Sequence, residues 1–236
     1  MAAAAAVAAV VVVAVVVVAV VVVAEAVVAV VVVVVAAATA SLGEEQPPLG
    51  GRVSDTIDLW QAQHRHFSRL LDILEQQVAA FHADDGPNYA LMLDVLSYLR
   101  YFPDRFHNPR EDVAFACLAQ RDPGLKPAID ALLQEHRVIA AAGAELLNYL
   151  EQVVDDVVVE RAKVEAAAAT YLVYYRRHLA LEDRDIVPRA EALLTAADWE
   201  AVRAAISAGV DPLFGEDCEP RYRELRRQIA LAAAER

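Results

Sequence analysis

Cysteine is nearly absent from this 236-residue chain: there are two, Cys117 and Cys218, far apart and in no CxxC or Cys/His knuckle. That excludes a zinc finger and a thioredoxin-like redox motif. Two isolated thiols fit a reducing compartment, so the folded part is expected to be cytoplasmic, with one cysteine half-buried and the other on the surface. Glycine (8) and proline (10) are also scarce, while Ala, Leu, Glu and Arg are plentiful, a mix that favours helices over sheets. Positive charge is outnumbered, with 21 Lys and Arg against 34 Asp and Glu, a net −13, and no basic stripe offsets it locally. Such a chain repels phosphate backbones, so nucleic acid is not an expected partner.

Hydrophobic residues make up 58% of the chain, and the excess sits in the first 40 residues. Residues 2–38 are almost only Ala and Val, interrupted at Glu25, and the 23 residues from Ala2 to Ala24 are all apolar. That run is long enough to cross a bilayer as a helix. It lacks a Lys or Arg flank on its N-terminal side and a Trp/Tyr belt, and its two-letter composition is low in complexity. Three readings compete for residues 1–40: a membrane anchor through residues 2–24, an apolar extension of little function, and upstream sequence that is not translated. Residues 41–53, with Pro47, Pro48 and a Gly pair, read as a flexible linker to a folded domain.

Beyond the linker, helical periodicity predicts an all-α fold. The first helix runs from about Ser54 to Ala80 with an apolar stripe of Ile57, Trp60, His64, Phe67, Leu70, Leu71 and Leu74. The second spans about Pro87 to Ala119, with a kink or break expected at Pro103 and Pro109. The third runs from about Lys126 to Val154, and the fourth from about Val159 to Asp185, stopping before Pro188. Short connections force antiparallel neighbours, hence an up-down-up-down four-helix bundle over residues 54–190. Residues 191–236 form a C-terminal extension with two short helices, near 196–208 and 218–233.

The chain has six histidines: His64, His66, His82, His107, His136 and His178. Two of them precede a glutamate by four residues, His107 with Glu111 and His178 with Glu182, so each pair lies on one helical face. Acids are 34 of 236 residues, so one such pair arises by chance roughly one time in seven; two are only suggestive. Depth is the stronger argument. Equal distances from a turn in an antiparallel bundle mean equal height, at about 1.5 Å per residue. Counted this way, His64, His107, His136 and His178 fall on one level, one from each helix. His66 is turned about 200° from His64, and His82 sits at a turn. Core histidines are usually just hydrogen-bonded rings. Four at one level with two buried carboxylates would be costly without a cation to neutralise the acids.

The segments QHRHFSRLLDILE (63–75), YFPDRFHNPREDVAF (101–115), QEH (134–136) and YYRRHLALEDRDIVP (174–188) resemble the hemerythrin-like, or HHE cation-binding, domain. The resemblance covers about residues 54–190. It implies a non-haem centre of two iron ions held by His64, His107, Glu111, His136, His178 and Glu182, with the two glutamates bridging. Imidazole and carboxylate without thiolate suit iron or manganese, and also zinc. Two departures stand out. Respiratory hemerythrins carry a further histidine one turn beyond the third-helix ligand, where this chain has Ala140, and some members use an acid five residues after the fourth-helix histidine, here Asp183. Helical geometry favours Glu182, with Asp183 in reserve. Tyr171, Tyr174, Tyr175 and Asp183 are candidates for hydrogen bonding around the centre; core packing is the alternative for each tyrosine. No catalytic acid or base stands out beyond the ligands. The expected role is therefore binding or sensing of oxygen, nitric oxide or iron. A di-iron oxidase, peroxidase or ferroxidase and a metal-free helical interaction module are the alternatives.

Overall fold

The computed structural model describes residues 53–205 and 211–234. The Ala/Val segment, its membrane-anchor reading and the linker up to residue 52 lie outside the described residues. Among those described, no helix is long and apolar enough to cross a membrane.

Helix α1 (Val53–Ala83) buries the predicted stripe, Ile57, Trp60, His64, Phe67, Leu70, Leu71 and Leu74, together with Gln63 and Ile73. It ends in a turn where Asp84 and Gly86 take positive φ of 63° and 59°, left-handed values that glycine meets without strain. Asn88 then caps α2 (Tyr89–Phe102), its side chain accepting from the Leu91 N–H at 3.1 Å. Helix α3 (Asn108–Arg121), α4 (Lys126–Val154) and α5 (Arg161–Leu181) come next. The α2–α3 rod packs against α1 and α4, and α5 packs against α4 and α1. Each long element thus neighbours its sequence predecessor and successor, the expected up-down-up-down bundle.

At Pro103 and Pro109 the second rod shows the expected local irregularity, but the fourth does not stop before Pro188 as expected. A π turn, Pro103–His107, joins α2 to α3, and a second, Glu182–Ile186, joins α5 to α6 (Val187–Leu193). In each, an N–H bonds five residues back, Asn108 to Pro103 and Val187 to Glu182. In each, the next residue is proline, Pro109 or Pro188. Proline lacks an N–H and clashes with the carbonyl four residues earlier. One extra residue in the preceding turn shifts the carbonyls away from the ring and relieves the clash, so the rod continues. The fourth helical rod therefore runs past Pro188 to Leu193.

The C-terminal extension packs on this bundle. Thr195 and Asp198 form a capping box that starts α7 (Ala196–Ala204), whose Trp199 and Val202 are buried. Asp211 accepts from the Tyr98 hydroxyl at 2.9 Å and from the Leu213 and Phe214 N–H groups, seating that segment. Helix α8 (Arg223–Ala234) lies beyond it and contacts α1 and α2. Both cysteines are half-buried, so neither takes the surface position expected for one of them. Cys218 packs against the core cluster beside Phe214.

Two apolar clusters fill the bundle. One contains Phe67, Leu71, Leu96, Phe102, Leu146, Tyr171 and Tyr175; the other contains Ile57, Trp60, Phe115, Leu118, Leu132, Ile186 and Trp199. Burying each such side chain is worth about 1.5–3 kcal/mol. Along every long helix the change from one cluster to the other falls at a histidine or glutamate of the predicted constellation.

Candidate metal centre

His64, His107, Glu111, His136, His178 and Glu182 converge between the two apolar clusters. Five of them are at most 4% exposed, and the His136 side chain is 14% exposed. The side chains form two subgroups around the two carboxylates. His64 and His107 bring their Nε2 atoms 3.2 and 2.7 Å from Glu111 Oε1, and His64 Nε2 is 3.4 Å from Glu182 Oε2. On the other side, His136 Nε2 is 3.5 Å from Glu111 Oε2 and His178 Nε2 is 3.2 Å from Glu182 Oε1. Each carboxylate turns one oxygen to each histidine pair. The i, i+4 spacing of His107–Glu111 and His178–Glu182 stacks each pair on one face, and the adjoining π turns set which way those faces point.

All four inward nitrogens are Nε2, because each Nδ1 faces a polar group on the outside. Gln63 Oε1 lies 2.7 Å from His107 Nδ1, and Asp183 Oδ1 lies 2.8 Å from His64 Nδ1. Glu135 Oε2 is 3.4 Å from His178 Nδ1, and Asp112 Oδ1 is 3.7 Å from His136 Nδ1. The pattern is cyclic: Gln63, Asp112, Glu135 and Asp183 each adjoin an inward residue in sequence and face the histidine of a neighbouring helix; Gln63 and Asp183 make hydrogen bonds there, while His178 Nδ1 and Glu135 Oε2 have no hydrogen-bond partner. Adjacent residues on a helix differ by about 100°, so a polar neighbour of an inward ligand faces the next helix. Of these four, only Asp183 was anticipated. Glu135 is further held by Arg177.

The other expectations divide. Glu182 points inward and Asp183 outward to His64. Tyr175 is buried beside the cluster. Tyr171 is fully buried but packs over Gly143, where an added Cβ would meet its ring at 2.7 Å; it belongs to the core. Tyr174 is 38% exposed, since it lies about 100° round the helix from Tyr175. His66 stacks on Phe214 with ring centroids 3.8 Å apart, and His82 pairs with Glu165 at 3.0 Å, both away from the cluster as the depth count required.

Within the protein alone the six groups oppose one another. Burial disfavours charge on His64, but Asp183, Glu111 and Glu182 outweigh it and raise its pKa to about 10. Burial, then His136, pushes His178 down to about 3. Burial also lowers His107, while Glu111 and Glu182 overcome burial to raise His136. Glu111 stays well below its ordinary value because His107, His136 and His64 outweigh its burial. Burial and the Glu111 charge push Glu182 well above. Glu111 Oε2, both Glu182 oxygens and His136 Nε2 are buried without a hydrogen-bond partner. Buried orphans of this kind cost about 1–3 kcal/mol each, and dications satisfy them without protons. Two sets, Glu111/His136/His178/Glu182 and His64/His107/Glu111, have ligand atoms that all lie within 4.8 Å of one another. The donor chemistry fits a borderline transition metal such as iron, manganese or zinc.

A four-helix bundle with a buried, carboxylate-linked histidine cluster defines a metal-binding bundle protein. Residues 55–190 match the Hemerythrin HHE cation binding domain, and the chain belongs to that family. A comparison with curated proteins finds no significant match.

Proposed function

We propose that this chain is a non-haem di-iron protein that binds or senses a small molecule, with His64, His107, His136 and His178 as terminal ligands and Glu111 and Glu182 as bridges. The observation that carries the reading is the division of each carboxylate between the two histidine pairs. A mononuclear site needs no such division; a pair of cations does. Iron is favoured by the family's cation-binding character together with an all-imidazole and carboxylate donor set. Four protein donors per ion leave positions open for an exogenous ligand such as oxygen or nitric oxide. Binding is preferred to turnover because the elements around the cluster serve to hold and orient its ligands.

Metal analysis tests this directly. Protein expressed in iron-rich medium is expected to carry about two iron atoms per chain, and Glu111→Ala or Glu182→Ala to lose the pair. A chain that purifies without iron and takes up none refutes the assignment. Turnover with peroxide or ferrous iron, measured beside reversible gas binding, distinguishes a binding protein from an oxidase or peroxidase.

A further inference from the structure

A chain of aromatic rings leads away from the metal centre between α1 and α2. Phe67 stands edge-on to His107 with ring centroids 5.0 Å apart, Phe102 lies 6.4 Å beyond it, and Tyr98 stacks on Phe102 at 5.5 Å with the planes 9° apart. On its far side Tyr98 meets Tyr222 at 5.8 Å, beneath the exposed Arg221. Packing alone accounts for rings at such distances. The hydroxyl of Tyr98 asks for more. Four tyrosines are buried among the described residues, Tyr98, Tyr171, Tyr175 and Tyr222. Of these, only Tyr98 donates its hydroxyl to a carboxylate, Asp211 Oδ2 at 2.9 Å. The Tyr171 hydroxyl, by contrast, is buried without a hydrogen-bond partner.

The Tyr98–Asp211 pair can hold one proton in either of two places. Asp211 Oδ1 is taken by the Leu213 and Phe214 N–H groups at 2.9 and 2.8 Å, which leaves Oδ2 for the phenol. Burial, and then the Asp211 charge, push the ionisation of Tyr98 far above its ordinary value. The phenol therefore keeps its proton while the ring is reduced. Removing an electron from a phenol makes that proton strongly acidic, and a base within about 2.6–3.2 Å is placed to take it. A buried hydroxyl that faces only hydrocarbon has no such outlet, because the charged product would be left unpaired.

We propose that Tyr98 and Asp211 form a proton-coupled redox site that supplies one electron to the metal centre, through Phe102 and Phe67, when a peroxide is cleaved there. Its link to the centre rests on the di-iron reading above; the pair itself does not. Breaking the O–O bond of hydrogen peroxide to give two hydroxide ions takes two electrons. A ferrous ion gives one and becomes ferric, and Tyr98 gives the other and becomes a neutral phenoxyl radical. The Tyr98 O–H bond breaks and an O–H bond forms on Asp211 Oδ2. The oxidising equivalent is thereby moved from the ligands that hold the metal to a ring sheltered among Phe102, Phe214 and Tyr222.

The test uses the full chain and electron paramagnetic resonance of frozen samples. In chelator, a photogenerated ruthenium(III) polypyridyl oxidant should leave a long-lived tyrosyl radical with one proton at hydrogen-bond distance that is lost in deuterium oxide. Tyr98→Phe should abolish that signal, and Asp211→Asn should shorten its lifetime several-fold. Tyr101→Phe, at an exposed ring, should leave it intact. With ferrous iron bound, hydrogen peroxide should raise the same signal. Phe102→Leu should cut the peroxide signal several-fold while the photochemical one persists through Tyr222. A long-lived radical that survives Tyr98→Phe overturns the proposal, as does one in the unmodified chain that lacks the exchangeable proton, a result that needs no variant to fold. An iron-loaded chain that gives no Tyr98 signal with peroxide overturns it too. A chain that holds no iron fails the functional reading and the link to the centre with it, while the photochemical arm still decides the Tyr98–Asp211 pair.

Discussion

Replacing Glu182 with methionine should reverse the order of stability between metal-free and metal-loaded protein. Glu182 is wholly buried, and neither carboxylate oxygen has a hydrogen-bond partner. In chelator its burial and the neighbouring Glu111 charge hold its pKa well above 4.5. An unsatisfied buried polar group costs about 1–3 kcal/mol, and a side chain of similar shape without the charge escapes that cost. His64 loses a Coulomb partner in the exchange, which places the net gain toward the lower end, about 1 kcal/mol. For a domain of this size that corresponds to roughly 2–4 °C in Tm. The sign with pH comes from the raised pKa. Below about 4.5 both folded and unfolded carboxyls are protonated and Glu182 carries little penalty. As pH rises the unfolded carboxyl ionises first, the penalty grows, and it levels off above the folded pKa. The methionine variant's advantage should therefore be small at pH 4 and larger at pH 7. With metal the order inverts. A free ion at 100 times its Kd stabilises the unmodified chain by about 2.7 kcal/mol, and Glu182→Met forfeits the second ion. Urea denaturation monitored by circular dichroism, in chelator and in saturating metal, gives both numbers. A variant less stable than the unmodified chain in chelator, or one that still holds two ions, refutes the reasoning.

Gln63→Leu and Glu135→Gln should each weaken metal binding by about 10- to 100-fold while leaving the saturated stoichiometry unchanged; competition with a calibrated chelator measures it, and unchanged affinity in both would show the outer ring to be idle. Metal binding at pH 7 should release at least one proton per chain, since His64, with a pKa of about 10, starts protonated. Calorimetry in buffers of different ionisation enthalpy counts them, and no release would contradict the assigned protonation. His66→Ala and His82→Ala should keep full metal content, because one ring stacks on Phe214 and the other pairs with Glu165; elemental analysis of the two variants decides.

The centre was readable because it depends on height along helices, which residue counting gives directly. His64, His107, His136 and His178 met where the turns placed them, and the i+4 glutamates came from helical periodicity. The outer residues were less legible. Gln63 and Glu135 carry no spacing of their own; their role appears only when a neighbouring helix supplies the histidine they face. Asp112 is hidden in the same way behind Glu111. The π turns were legible only as trouble. Pro109 and Pro188 marked strain in the helix, but whether the chain breaks, kinks or absorbs an extra residue depends on how well the segment after the proline packs. Here the hydrophobic surfaces of α3 and α6 favour continuation. Tyr171, Tyr174 and Tyr175 could not be sorted without knowing on which side of His178 the interior lay.

The band of ionisable side chains between the two hydrocarbon clusters also constrains how the rods slide past one another. Shifting any long helix by a single turn, about 5.4 Å, would press Glu111 or Glu182 against leucine and leave a histidine facing nothing polar. Uniform hydrocarbon would tolerate such slippage; this interior penalises it at every rod simultaneously. The six side chains of the cluster therefore also act as a vernier for the bundle, so that alignment and the proposed ligation rest on the same positions.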